Sequence, residues 1–174
     1  MKTLQLLIVI LLFSTLTKAQ SSIDFTLPSA TDTSHFTASK AKGKFIALHF
    51  LLKTECPYCI RHTHDYFEKA ATLSNVIQVF IKPDTEKEIK EWADKLSAND
   101  TLKYPIYRDA DAMLATQFNI PNGYAFHGQI VHYPALIILN EQGEEVFRYI
   151  GKNNSDRYSF EKLTAKIKEL NQVK

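Results

Sequence analysis

Residues 45–59 read FIALHFLLKTECPYC, and the junction inside this stretch decides the fold. Phe45 to Leu52 is a nearly continuous apolar run of strand length, the pattern of a strand buried on both faces. Pro57 suits the first turn of a helix. Ile60, Phe67, Ala70 and Ala71 then fall on one side of a helix running to about Ser74. Cys56 and Cys59 stand at the joint between the two elements.

Downstream, Val76 to Lys82 alternates as a second strand stopped by Pro83. Asp84 or Thr85 can cap the next helix, whose stripe is Ile89, Trp92, Ala93 and Leu96. Tyr104 to Tyr107 is a short strand, and Asp109 caps a helix over Ala110 to Phe118. Asn119 to Tyr133 reads as irregular, with Asn122 to Gln129 a flexible flap beside the cysteines. Ala135–Leu139 and Glu145–Ile150 form a hairpin around the polar turn Asn140 to Gly143. Ser159 to Leu170 is the closing helix. Upstream, Ser21 to Thr37 reads as a small hairpin and Lys42-Gly43-Lys44 as a turn. Strands alternating with helices, followed by a hairpin and a last helix, predict an α/β domain. Its central mixed sheet carries helices on both faces and an N-terminal β-hairpin.

The chain has 174 residues, 45% hydrophobic, with 21 basic and 19 acidic residues. That is a globular protein of one domain with no strongly basic face, so nucleic acid is excluded as an expected partner. Met1-Lys2-Thr3 precedes an apolar run from Leu4 to Leu16, and Ala19 is a small residue before a cleavage point. This is the layout of a secretory signal peptide over residues 1–19, with the domain over 20–174. The run of about 13 residues falls short of the roughly 20 that a spanning helix needs. An uncleaved anchor is the alternative. Cleavage removes Lys2 and Lys18 and no acid, which leaves a neutral mature chain. An exported, periplasmic or extracytoplasmic, oxidising compartment is expected, with no stable membrane insertion after cleavage.

Cys56-Pro57-Tyr58-Cys59 carries the chemistry. A helix N-terminus offers partial positive charge and free N–H groups, which stabilise a thiolate. The thiolate is the nucleophile of disulfide exchange, and a second thiol one turn inside can resolve a mixed disulfide. Cys56 is expected to be exposed, with a lowered pKa, and Cys59 to be more buried. An inert bridge is the bland alternative, but so short a loop makes a poor staple. His62 and His64 raise a metal reading with the cysteines. Helical geometry turns them apart, and a solvated helix face is the expectation for both. His49 is expected in the core. Tyr133-Pro134 precedes a buried strand. A cis bond there would expose backbone groups to an extended substrate, and a plain strand start is the alternative.

These residues resemble the thioredoxin superfamily, and within it the redoxin group. That group covers the alkyl hydroperoxide reductase/thiol-specific antioxidant family and the exported thioredoxin-like reductases. The carriers are Asp24-Phe25-Thr26-Leu27-Pro28, Lys42-Gly43-Lys44, the cysteine pair, Tyr104-Pro105-Ile106-Tyr107-Arg108-Asp109, Tyr133-Pro134 with the strand after it, and Tyr149-Ile150-Gly151. The resemblance implies a thioredoxin-like fold, and no cofactor and no metal are expected. It also implies two activities. Peroxiredoxins carry a Thr three residues before the peroxidatic Cys and an Arg near the later proline. Counted from Gly43, the peroxidatic position is Cys59 and Cys56 takes the Thr position. Thr54 is two residues before Cys56, and Val131-His132-Tyr133-Pro134 has no Arg.

The expectation is therefore a thiol–disulfide oxidoreductase in which Cys56 attacks and Cys59 resolves. Pro57, Tyr58, Tyr133 and Pro134 would contact protein thiol or disulfide partners. A thiol-dependent peroxidase with antioxidant activity, acting on peroxides, is the first alternative. A copper-handling chaperone using the cysteines with His127 or His132 is the second.

Overall fold

The computed structural model describes residues 23–41, 43–53, 56–97, 104–126 and 129–172. The signal-like segment, Thr54, His127 and Gly128 lie outside them. In chain order the strands are β1 (Thr26–Pro28), β2 (His35–Thr37), β3 (Phe45–Phe50), β4 (Val76–Lys82), β5 (Ile106–Arg108), β6 (Asn122–Phe126), β7 (Gln129–His132), β8 (Ala135–Leu139) and β9 (Glu145–Ile150). The helices are α1 (Pro57–Lys69), α2 (Glu86–Ser97), α3 (Met113–Gln117) and α4 (Phe160–Gln172).

The central sheet runs β5-β4-β3-β8-β9. β3, β4 and β5 are parallel neighbours, β8 runs antiparallel beside β3, and β9 runs antiparallel beside β8. Period-two alternation splits the sheet into two faces. Phe45, Ala47, Phe80, Leu136 and Ile138 pack with Tyr66 and Phe67 of α1, Trp92 of α2, and Leu163 and Ile167 of α4. Ile46, Leu48, Phe50, Val79, Ile81 and Ile137 pack with Leu27 and Phe36 of the β1–β2 hairpin and with Leu114 and Ala115 of α3. Helices thus cover both faces of a mixed sheet, as the sequence pattern predicts.

Local chemistry explains the helix starts. Thr85 and Glu88 form a reciprocal capping box at α2: the Thr85 hydroxyl accepts from the Glu88 N–H at 3.3 Å, and the Glu88 carboxylate accepts from the Thr85 N–H at 2.9 Å. Asp109 accepts from the N–H groups of Leu114 and Ala115 at 2.8 and 3.0 Å. That anchor holds Asp111 and Ala112 in left-handed backbone (φ 56° and 53°), so the expected helix over Ala110 to Phe118 breaks into a 3-10 turn and α3.

Other expectations also need correction. The stretch from Asn119 to Tyr133 is not irregular, because β6 and β7 pair antiparallel within it. The third short strand begins at Ile106, two residues later than expected, because it pairs with Phe80 to Lys82 of β4. Register also gathers one end of the sheet. Phe50 lies opposite Ala135, and Ala135 opposite Ile150. The segments after β3, before β8 and after β9 therefore emerge side by side.

Candidate active site

Cys56 and Cys59 are joined as a disulfide, with their Cα atoms 5.2 Å apart. Cys56 is the N-cap of α1 in extended backbone, and its sulfur accepts the Cys59 N–H at 3.1 Å. A sulfur fills the place where a hydroxyl or carboxylate usually satisfies the first free N–H groups. The Leu52 N–H reaches Cys59 Sγ at 3.3 Å. The Leu52 carbonyl accepts from Lys82 Nζ at 2.5 Å. Lys82 is fully buried against Asp84 (3.1 Å) and over the Trp92 ring (4.6 Å). Burial pulls the Lys82 ammonium down while Asp84 holds it up.

The residue that sequence reasoning missed is Arg157. Its Nη2 lies 3.3 Å from Cys56 Sγ and 3.2 Å from Cys59 Sγ. No Arg stands at the segment before Pro134, yet a guanidinium is on the sulfurs all the same. It arrives from the loop between β9 and α4. Gly151 starts that loop by donating its N–H to the Pro134 carbonyl at 2.8 Å. A Cβ at Gly151 would sit 2.5 Å from the Asp156 carbonyl oxygen and 2.7 Å from Pro134 Cγ. Asp156 then accepts from the Tyr149 hydroxyl (2.6 Å) and the Lys152 N–H (2.9 Å). On the far side the Tyr66 hydroxyl donates to the Tyr158 carbonyl at 3.0 Å. Arg157 is clamped between two anchors.

This loop also corrects the expectation for Cys56. Cys56 is 8% exposed and Cys59 0%, so the order holds but both are buried. Pro57 and Tyr58 are exposed at the helix mouth, with the Arg61 guanidinium 6.0 Å from the Tyr58 ring centroid. Pro134 lines a cavity with Arg157 and His62. The Tyr133–Pro134 bond is trans, not cis. The Tyr133 ring lies against Gly123 of β6, where a Cβ would be 2.5 Å away.

His49 is buried in the core as expected, its ring stacked on Phe80. His62 is not on a solvated face: its Nε2 is bonded to His49 Nδ1 at 3.1 Å. His64 is exposed. His132 is buried and donates Nδ1–H to the Tyr133 carbonyl at 2.7 Å. It lines a separate cavity with Lys53 and Asn122. No group of three His, Cys, Asp or Glu side chains among the described residues is arranged to hold a metal ion. No helix among them is long and apolar enough to cross a membrane.

The family model for the AhpC/TSA family matches residues 19–146. No curated protein matches. Among solved structures, AhpC of Enterococcus faecalis superposes with a TM-score of 0.72 at 21% identity, covering 87% of this chain and 90% of that one. The exposed lipoprotein thioredoxin Etrx1 of Streptococcus pneumoniae gives 0.65 at 19% identity, covering 84% and 99%. A cysteine-to-serine mutant of PrxQ from Xylella fastidiosa gives 0.67 at 13% identity, covering 86% and 90%. These likenesses establish a thioredoxin-like fold shared by peroxiredoxins and thioredoxin-like proteins.

Proposed function

The chain belongs to the AhpC/TSA family, and from that premise we propose that it is a thiol–disulfide oxidoreductase working through Cys56 and Cys59. The observation that carries the reading is the pair of sulfurs at the N-cap of α1 with one guanidinium nitrogen on both. In the reduced protein, the Cys59 N–H, the helix N-terminus and Arg157 all favour Cys56 as thiolate. That thiolate attacks one sulfur of a partner disulfide, and the other sulfur leaves as a thiolate. Cys59 then attacks Cys56 Sγ and releases the partner. The Cys56–Cys59 disulfide is the oxidised end of the cycle. Pro57 and Tyr58 at the mouth, with Tyr133 and Pro134 beyond Arg157, are the surface offered to the partner. The signal-like residues 1–19 support work in an exported, oxidising compartment, where such disulfides persist.

Arg157 also favours a second reading. A guanidinium can hold a peroxide and stabilise the departing hydroxide as its charge develops. Cys59, at the peroxidatic position, would take one peroxide oxygen as sulfenic acid, and Cys56 would displace it as water. The dithiol reading ranks first because the Thr position of the peroxidase register is occupied by Cys56. The reduced protein is expected to reduce insulin disulfides, and Cys56→Ser to abolish this. Oxidation by hydrogen peroxide in stopped flow at rates typical of dedicated peroxidases, with no disulfide reduction, would reverse the order.

A further inference from the structure

Behind the cysteines lies a hydrogen-bonded chain that thiol exchange as described does not use. His49 Nε2 is 2.8 Å from Gln78 Oε1, and His49 Nδ1 is 3.1 Å from His62 Nε2. The topology places it there: His49 of β3 and Gln78 of β4 share the sheet face that α1 covers. We propose that His62, oriented by His49 and Gln78, is the proton-transfer group of the exchange. It takes the proton of Cys59 as that thiol attacks the mixed disulfide and hands it to the departing partner thiolate. This deepens the dithiol reading and rests on it.

The direction of the chain follows from what each atom can do. Gln78 Oε1 can only accept, so the hydrogen is on His49 Nε2. Neutral His49 then presents a lone pair at Nδ1, so the shared hydrogen is on His62 Nε2. The one basic site left in the pair is His62 Nδ1. His62 stands three residues after Cys59 on α1, one turn along the same side. It lines a cleft of about 290 Å³ with Tyr58, Arg61, Asp65 and Arg157. Arg157, in the wall of that cleft, also reaches both sulfurs.

The surroundings set the proton strength. Burial pushes His49 down to about 4. Burial, then His49, then Arg157 hold His62 well below the usual imidazole range. At neutral pH His62 is an empty acceptor, and once protonated it is an acid strong enough not to keep the proton. The titratable groups facing it are His49 of β3, Tyr66 of its own helix and Arg157 of the loop, with Tyr58, Arg61 and Asp65 at the rim. Among the described residues, Gln78 Nε2 has no hydrogen-bond partner, a buried polar cost that an apolar pair in its place would not carry.

The steps balance. Cys56 thiolate forms the Cys56–partner bond and expels the first partner thiolate. Cys59 passes its proton to His62 Nδ1 and bonds to Cys56 Sγ. The Cys56–partner bond breaks, and the second thiolate leaves with the electron pair and takes the proton from His62. The dithiol is oxidised and the partner disulfide reduced.

The test uses reduced protein and 2-hydroxyethyl disulfide, with acid quench and intact mass to count the mixed disulfide over time. In His62→Gln, which keeps a donor toward His49, the Cys56 adduct should accumulate and its resolution slow at least about tenfold. Wild-type resolution should fall as pH drops through the lowered His62 pKa, and His62→Gln should lose that limb. Gln78→Leu frees His49 to turn its hydrogen toward His62, so resolution should slow by an intermediate factor with His62 still present. Wild-type resolution rates in both variants would overturn the proposal, as would unchanged pH limbs. A misfolded His62→Gln, recognised by its circular dichroism, leaves Gln78→Leu to decide. Failure of the wild type to form either a Cys56 adduct or the Cys56–Cys59 disulfide contradicts the dithiol reading instead.

Discussion

Replacing Arg157 by Gln removes the full positive charge found on the two sulfurs, while a side chain of similar reach remains. Nη2 lies 3.3 Å from Cys56 Sγ and 3.2 Å from Cys59 Sγ, so in the reduced protein it faces a thiolate at hydrogen-bond range. A hydrogen bond to a charged group contributes about 1.5–3 kcal/mol. At about 1.4 kcal/mol per pH unit, its loss should raise the apparent pKa of Cys56 by about one to two units. A pair of charges about 4 Å apart near a surface sets a ceiling of about 4 kcal/mol, or some three units. The Cys59 N–H and the helix N-terminus remain, so the pKa should stay below that of a free thiol. Losing the thiolate's partner disfavours the reduced form, so the reduction potential should become more negative by on the order of 30–60 mV. The assay is thiolate absorbance of the reduced protein against pH, paired with alkylation rates at Cys56. Arg157→Lys, which restores charge without the planar fork, should recover part of the effect. An Arg157→Gln protein with the wild-type Cys56 pKa would refute the reasoning.

Three further outcomes are expected. Gly151→Ala places a Cβ against the Asp156 carbonyl and the Pro134 ring, neither of which can swing aside. It should cost about 1–3 kcal/mol in denaturant unfolding and raise the Cys56 pKa in the same direction as Arg157→Gln. For His49, the folded pKa near 4 lies below the unfolded value near 6.5. The unfolded chain therefore takes up a proton that the folded one refuses, and stability should fall as pH drops from 6.5 towards 4, by on the order of 3 kcal/mol. Equilibrium unfolding across that range should show a flatter slope for His49→Gln. Thr85→Ala breaks the capping box at α2 and should lower stability by about 1 kcal/mol, measured by thermal melting.

The central strands were legible because their patterns are local. Val76 to Lys82, Ala135 to Leu139 and Glu145 to Ile150 each carry a run or alternation bounded by Pro, Asn or Gly, and the strands begin and end there. Phe45 to Leu52 overshot by two residues. Leu51 still donates to the Ile81 carbonyl, but Leu52 has turned its N–H to Cys59 Sγ. The β6–β7 hairpin hid because Asn122 and Gly123 interrupt the pattern and the pairing shifts register between Asn122 and Tyr124. Cys56 and Cys59 could be read from spacing alone. Arg157 could not: it sits in the polar stretch Lys152 to Ser159, about a hundred residues from its sulfurs. Only the register Phe50–Ala135–Ile150 brings it there. The His49–His62 contact likewise depends on strand parity and helix phase together, where sequence alone suggested one core and one surface histidine.

The central claim is that Cys56 attacks and Cys59 resolves. It is tested most directly by mixing the reduced single-cysteine variants with a disulfide-bonded protein such as insulin and mapping the adduct by mass. Cys59→Ser should trap a mixed disulfide through Cys56, while Cys56→Ser, whose remaining thiol is fully buried, should trap little. A trapped adduct on Cys59, with Cys56 unreactive, would contradict the account and shift it to the peroxidase register.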